Sequence, residues 1–198
     1  MPKGFTKEEM DIIKEKLLFK GRVMFAKYGF RKFGIRDLTA EIGIASGMFY
    51  KFFDSKEELL FIILENEKNK IREKIYNEMM VYKNDPKKAL KSFYYIIIKE
   101  LQENPIMKTI LLKEEYPFIA KQMTEEQMLE ERNKSLLPIM ELANYWKKKG
   151  YIKDIDIEVV INSLRSLVYL WFHKAEIGED NYTDVIEFMI NRICRYLD

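Results

Sequence analysis

Gly34-Ile-Arg-Asp-Leu-Thr-Ala-Glu-Ile-Gly-Ile-Ala-Ser-Gly-Met-Phe-Tyr-Lys-Phe-Phe53 decides the fold of this chain. The stretch reads as two short helices broken by a glycine turn. Ile35, Leu38 and Ile42 recur at helical spacing and are expected to face inward. Gly43 falls where the chain must turn, and glycine takes left-handed backbone angles without steric cost. Ile44 plugs the angle between the helices, and Phe49, Phe52 and Phe53 anchor the second helix from beneath. Ser46, Gly47, Met48, Tyr50 and Lys51 are left on or near the outer face. Gly47 has no side chain to hold a partner off, while Tyr50 and Lys51 have the reach for phosphates. This is the pattern of a helix-turn-helix, whose second helix lies in the major groove with its early residues at base edges. Two ordinary packed helices are the plainer reading of so short a pattern.

The flanks favour the first reading. Phe25-Ala-Lys-Tyr-Gly-Phe30 lies just before and Asp54-Ser-Lys-Glu-Glu-Leu-Leu60 just after. With them, residues 7 to 64 resemble the DNA-binding domain of the TetR family of transcriptional regulators. Phe25, Gly29 and Phe30 match the end of that family's first helix; Ile35, Arg36, Asp37 and Leu38 match its second. Gly43 and Ile44, then Gly47, Phe49, Tyr50 and Phe53, then Ser55, Lys56 and Leu59 match the rest. The chain departs from the pattern at several positions. Phe33 and Gly34 stand where Thr or Ser is usual, which weakens the cap of the first motif helix. Thr39 replaces a usual Ala. Ala45 replaces a usual Ser, forgoing a side-chain cap worth about 1 kcal/mol. Met48 replaces a usual Thr and offers apolar contact with a thymine methyl in place of a hydrogen bond.

The resemblance implies double-stranded operator DNA as a partner, contacted by Arg36, Ser46, Gly47, Met48, Tyr50, Lys51 and Lys56. Lys56 opens the following helix, where backbone amides and the helix dipole also favour a phosphate. With Tyr50 and Lys51 it is expected to grip the DNA backbone. Charge placement agrees: residues 1 to 52 hold 11 Lys/Arg and 6 Asp/Glu, a net of +5, whereas the remainder holds 23 and 26, a net of −3. A basic N-terminal segment suits a polyanion, although a solvated lysine-rich surface would look the same.

Composition bounds the rest. A chain of 198 residues allows one large or two small domains, and 47% hydrophobic residues supply an ample core. Five prolines and eight glycines, with abundant Lys, Glu, Leu and Ile, point to an all-α protein of nine or ten helices. No run of 18 apolar residues appears, so no membrane partner is expected. The start, Met1-Pro-Lys-Gly4, has no apolar segment of signal-peptide type, and the reading is cytoplasmic. The single cysteine, Cys194, excludes an intrachain disulfide framework and is expected to pack within the last helix.

Capping signals place the helices. Thr6 with Glu9 opens the first, to about Tyr28, with Leu17, Leu18, Gly21, Phe25 and Tyr28 inward. Ser55 with Glu58 opens a long helix from Lys56 to about Tyr82. Asp85-Pro86 starts a helix to about Glu103, and Asn104-Pro105 repeats the device. Tyr116-Pro117 breaks the next segment. Thr124 with Gln127 opens a helix to Lys149, ended by Gly150, which Pro138 should kink or split. Asp156 opens a helix ending near Gly178, and the last begins between Asn181 and Asp184. The implied organisation is an N-terminal three-helix domain over residues 1–54 and a C-terminal helical effector-binding and dimerisation domain over residues 55–198.

The last two helices are apolar nearly all round, so most of their faces must be covered. The resemblance implies a homodimer formed there through Leu164, Leu167, Val168, Trp171, Val185, Phe188, Met189 and Ile193. An intramolecular core is the alternative. The resemblance also implies a body pocket for a small, here hydrophobic, effector. Its candidates are Tyr94, Tyr95, Ile98, Met107, Phe118, Met123, Met140, Trp146, Trp171 and Phe172; each is as readily explained as core.

No catalytic residue, cofactor or metal site is expected. The one histidine, His173, has no partner cluster, and Walker, dinucleotide and zinc motifs are lacking. The glutamate pairs at 57/58, 114/115 and 125/126 read as helical surface, although Glu114 and Glu115 could meet a cationic ligand. The favoured function is a homodimeric repressor released by its effector. The alternatives are a DNA-binding protein of chromosome organisation or cell division, and a helical ligand or protein-interaction module.

Overall fold

The computed structural model describes residues 5–112, 118–119, 121 and 123–197. Among the described residues there are ten helices and no strand. They are α1 (Lys7–Tyr28), α2 (Ile35–Ile42), α3 (Ser46–Phe49), α4 (Lys56–Val81), α5 (Pro86–Glu103), α6 (Pro105–Leu112), α7 (Glu125–Lys149), α8 (Ile157–Phe172), α9 (Lys174–Ile177) and α10 (Glu179–Arg195). The chain forms two compact units. One comprises Met1–Asn69 with Glu103–Met123, and the other Lys70–Gln102 with Thr124–Asp198. The glutamate pair 114/115 and the break expected at Tyr116-Pro117 lie outside the described residues.

The helix boundaries follow from local chemistry. Thr6 and Glu9 form a reciprocal capping box, as do Thr124 and Gln127. Ser55 Oγ accepts from the Glu58 amide, while the Glu58 carboxylate turns back to the Asp54 amide. Asp85 and Asn104 cap the two proline-led helices by accepting from the Lys88 and the Ile106 and Met107 amides. Gly43 ends α2 at φ 75° and Gly150 ends α7 at φ 71°, the left-handed angles that terminate helices. Helix α7 continues through Pro138 without a split. Two expectations need correction. The helix from Asp156 stops at Phe172, and a separate turn, α9, fills the space to Gly178. The last helix begins at Glu179, ahead of Asn181.

In the N-terminal unit, α1 buries Ile13, Leu17, Gly21 and Phe25, one residue every four. Leu18 is half-buried, and Tyr28, placed inward by the sequence pattern, is exposed. That stripe joins Phe30, Phe33, Leu38, Phe49 and Phe53 with Leu59, Leu60, Ile63 and Leu64 of α4 in one core. Helix α6 adds Ile106 and Ile110, and the Thr109 hydroxyl donates to the Ala26 carbonyl at 2.6 Å.

Gly21 sets how closely α1 approaches α4. A β-carbon there would stand 3.1 Å from both Ile63 Cδ1 and Leu59 Cδ2, two side chains themselves buried. Alanine gains about 1 kcal/mol of helix propensity against that crowding, whereas valine adds two further carbons to a filled space. Gly21→Val is expected to destabilise the unit by about 2 kcal/mol, measured by denaturant unfolding. An unchanged midpoint would show that the helices part freely.

The C-terminal unit has its own core, built from Leu90, Phe93 and Tyr94 of α5, Ala143 and Trp146 of α7, Ile161 and Leu164 of α8, and Ile190 and Cys194 of α10. Burial pushes the Cys194 thiol up to about 11, so it remains neutral at physiological pH. No helix among the described residues is long and apolar enough to cross a membrane.

Candidate nucleic-acid interface

The turn between α2 and α3 is fixed from both sides. Gly43 leads into Ile44, whose amide donates to the Thr39 carbonyl at 3.0 Å. Thr39 is buried, and its hydroxyl meets the Ile35 carbonyl at 2.9 Å and Ser46 Oγ at 3.2 Å. This hydroxyl pair ties the two motif helices together. It is a functional detail the sequence hid, because Thr39 had registered only as a departure from the usual alanine. Ala45 and Gly34 start α3 and α2 with no side-chain cap, as their residue types require.

Helix α3 is a single turn. Beyond Phe49 the chain continues in tight turns, with the Lys51 amide donating to Met48 O and the Phe52 amide to Phe49 O. Phe49 and Phe53 are buried with rings 5.5 Å apart, so they fix the turn from below. On the opposite side Arg36, Ser46, Gly47, Tyr50 and Lys51 are all exposed. Tyr50 is 58% exposed and braced edge-on by Phe49, which aims its hydroxyl outward. Nothing lies within 4 Å of where a Gly47 β-carbon would stand, so the surface above it is open.

Two expected DNA residues are placed otherwise. Met48 is 9% exposed and belongs to the core beneath the motif. Its apolar side chain gains more from burial than from water, and the expected contact with a thymine methyl is withdrawn. Lys56 is half-buried, and its ammonium donates to the Phe30 carbonyl at 3.1 Å and the Phe33 carbonyl at 3.3 Å. It also lies 4.5 Å from the centre of the Phe30 ring. Its ammonium helps to hold the α1–α2 loop, a role the sequence did not suggest for it.

The effector candidates are divided between the two units. Met107, Phe118 and Met123 belong to the N-terminal unit, where Phe118 packs on Phe30 at 5.0 Å. The other seven belong to the C-terminal unit. Trp146 is fully buried and donates its indole N–H to the Lys83 carbonyl at 2.7 Å, and Tyr94 is buried with its hydroxyl 3.2 Å from that of Tyr182. Both are satisfied core residues, a correction to their expected place in a pocket. Ile98, Met140 and Trp171 are half-buried, and Tyr95 and Phe172 are exposed. The Tyr95 hydroxyl donates to Glu187, and that bond holds the carboxylate below its ordinary range.

Of the expected dimer residues, Leu164 and Leu167 are buried in the unit's own core and face no partner, which corrects their assignment. Val168, Trp171, Met189 and Ile193 are half-buried, while Val185 and Phe188 are exposed. Among the described residues no cluster of His, Cys, Asp or Glu could hold a metal ion.

An exposed α3 on a glycine-turned scaffold, set in the basic part of the chain, defines a helix-turn-helix DNA-binding protein. Residues 17–62 match the sequence model of the bacterial regulatory proteins of the tetR family. The chain is 24% identical over 164 residues to the HTH-type transcriptional repressor KstR2 of Mycobacterium tuberculosis, covering 80% of each. Its fold resembles a TetR-family transcriptional regulator from Pectobacterium atrosepticum at TM-score 0.65 and 19% identity, covering 98% of this chain and 96% of that one. It also resembles the fatty acid degradation regulator FadR from Bacillus halodurans at TM-score 0.57 and 17% identity, with 96% of each covered. Residues 17–62 thus carry a DNA-binding domain of TetR type, and the chain as a whole shares the fold of these solved regulators.

Proposed function

We propose that this protein is a repressor that binds a palindromic operator as a homodimer and is released by a small hydrophobic effector. The observation that carries the reading is the open surface of α3, where Gly47 leaves the backbone approachable and Tyr50, Lys51 and Arg36 stand exposed around it. In this reading residues 1–54 meet DNA, with Ser46 at the base edges and Lys51 and Tyr50 on phosphates, and residues 55–198 carry dimerisation and effector binding. Lys56 acts as a positioning residue for the α1–α2 loop.

Dimerisation is supported by α8 and α10, which keep Val168, Trp171, Val185, Phe188, Met189 and Ile193 wholly or partly in solvent. Two copies related by a two-fold axis present two α3 turns to half-sites roughly 34–36 Å apart. Sedimentation at micromolar concentration tests it, and a stable monomer overturns it. The hydrophobic effector rests on Ile98, Met140 and Trp171, apolar side chains of the C-terminal unit that its own core does not fully cover. Thermal stabilisation by strongly polar metabolites alone would overturn that part. KstR2, the sequence relative, is itself named a transcriptional repressor.

The direct test is fluorescence anisotropy with DNA from upstream of the protein's own gene against a scrambled duplex, salt being stepped from about 50 to 200 mM. Selective binding that weakens steeply with salt is expected; equal binding to both duplexes overturns a local operator. Lys51→Ala should weaken all sequences alike and lower the salt slope by about 1. Lys56→Ala should leave the slope unchanged and cost about 1 kcal/mol of stability, since its ammonium already holds two carbonyls. A slope lowered equally by both variants would return Lys56 to the phosphates.

A further inference from the structure

The hydroxyl pair at the start of α3 has one consistent arrangement of protons. A hydroxyl carries one proton and two lone pairs, whereas a carbonyl oxygen only accepts. Thr39 Oγ1 lies 2.9 Å from the Ile35 carbonyl oxygen and 3.1 Å from the Arg36 carbonyl oxygen. Its proton therefore points to those carbonyls, since lone pairs facing lone pairs at that distance would repel. Threonines within helices commonly bond back one turn in this way. Thr39 Oγ1 is left with lone pairs alone for Ser46 Oγ, 3.2 Å away, so Ser46 is the donor in the pair.

Burial holds this arrangement. Thr39 is 1% exposed, and among the described residues the Ser46 hydroxyl is the donor that reaches its oxygen. Turning the Ser46 proton outward would leave a buried oxygen without a donor, a state that native structures avoid. Ser46 is the first residue of α3 and is exposed. With its proton turned inward it presents only lone pairs to a partner. A serine free of such a constraint pairs with base donors and base acceptors alike. Arg36 and Lys51, exposed on the same surface, can only donate.

In the major groove adenine offers the N6 amine and cytosine the N4 amine as donors, whereas guanine and thymine place carbonyl acceptors there. We propose, resting on the reading of α3 as the recognition surface, that Thr39 is a positioning residue that sets base specificity. By holding the Ser46 proton it makes Ser46 an acceptor, and that acceptor selects the exocyclic amine of adenine or cytosine. An alanine at position 39 has no oxygen with which to hold the proton.

Selection from a random duplex pool with the full chain tests the proposal. Repeating it with Ser46→Ala marks the base pair that Ser46 reads, and affinities at that pair are then measured by anisotropy at fixed salt. Purine in place of adenine, or pyrimidin-2-one in place of cytosine, removes the amine alone. Its loss should weaken the wild type by about fivefold and Ser46→Ala by less than about twofold. Reversing the pair puts an acceptor where the amine stood, and the wild type should bind it at least about tenfold more weakly. Thr39→Val keeps the bulk and frees the Ser46 proton to meet that acceptor, so the discrimination should narrow by at least about threefold. Thr39→Ser, which keeps the hydroxyl, should restore it. A merely structural role for Thr39 would weaken every pair alike. Equal loss of affinity in the wild type and Ser46→Ala on amine removal overturns the choice of base group. Discrimination unchanged in Thr39→Val overturns the role of Thr39. Selective binding in which Ser46→Ala alters no pair overturns this proposal alone, whereas a wild type that selects no duplex overturns the DNA reading with it.

Discussion

Replacing Glu67 with alanine is expected to destabilise the N-terminal unit by about 3 kcal/mol. Glu67 is only 2% exposed, on the face of α4 that carries Leu60, Ile63 and Leu64 into the core. Its carboxylate takes both arms of Arg22, from Nε at 2.7 Å and from the terminal nitrogen at 3.0 Å, and a third bond from Asn104 Nδ2 at 2.9 Å. The hydrogen bond to Glu67 raises the Arg22 guanidinium above its ordinary range, so the arginine stays charged across physiological pH. Removing the carboxylate strands a guanidinium and an amide against an apolar core. Breaking a fully buried pair costs about 3–5 kcal/mol, and the lower end applies because the Arg22 side chain keeps 34% of its surface in water. At about 4–8 °C per kcal/mol for a unit of this size the melting temperature of the unit should fall by about 12–24 °C, measured by calorimetry. Glu67→Gln keeps the shape and an acceptor and should cost less. Arg22→Met combined with Glu67→Ala should recover part of the loss, since no charge is then left unpaired. A loss under about 0.5 kcal/mol for Glu67→Ala would mean that water replaces the carboxylate without penalty.

The same carboxylate shows what the sequence revealed and what it hid. Helix ends were legible because each is written in adjacent residues: Thr6 with Glu9, Asp85 with Pro86, Gly43 and Gly150. The helix-turn-helix was legible for the same reason, since its inward aromatics and glycine turn fall within 20 consecutive residues. Three-dimensional pairings were not. Glu67 meets Arg22 from 45 positions away and Asn104 from 37. One signal did exist: a glutamate in register with Leu60, Ile63 and Leu64 lies on a core face, and a buried carboxylate requires a cationic partner.

Side-chain direction on α3 was the second blind spot. A helix of one turn has too few residues for periodicity to separate its faces, so Met48 and Gly47, adjacent in sequence, read alike. The loop contacts of Lys56 were not legible because a lysine at a helix start suits a phosphate and a nearby loop carbonyl equally well. On α8, Leu164 and Leu167 fit either an interface or a core, and apolar character alone does not distinguish two ways of excluding water.

Gly47→Leu is expected to leave the fold intact while removing operator selectivity. The glycine lies within α3, its backbone is helical, and no atom lies within 4 Å of an added β-carbon. Leucine should therefore keep or raise stability by up to about 1 kcal/mol, the usual gain over glycine in a helix. Against DNA the result reverses. A leucine projecting from the surface that approaches the groove holds Ser46, Tyr50 and Lys51 away from bases and phosphates. Affinity for the operator should fall to the non-specific level, a loss of at least about a thousandfold, read by anisotropy at fixed salt. Gly43→Leu is the contrasting control. That position is equally open, but its φ of 75° is strained for any residue with a side chain. Its damage should appear in the melting temperature, at about 1–2 kcal/mol, before it appears in DNA binding. The two glycines thus separate a folding role from a contact role within one motif. Should Gly47→Leu bind the operator with undiminished selectivity, α3 does not lie against DNA, and the reading of this surface as the recognition face fails.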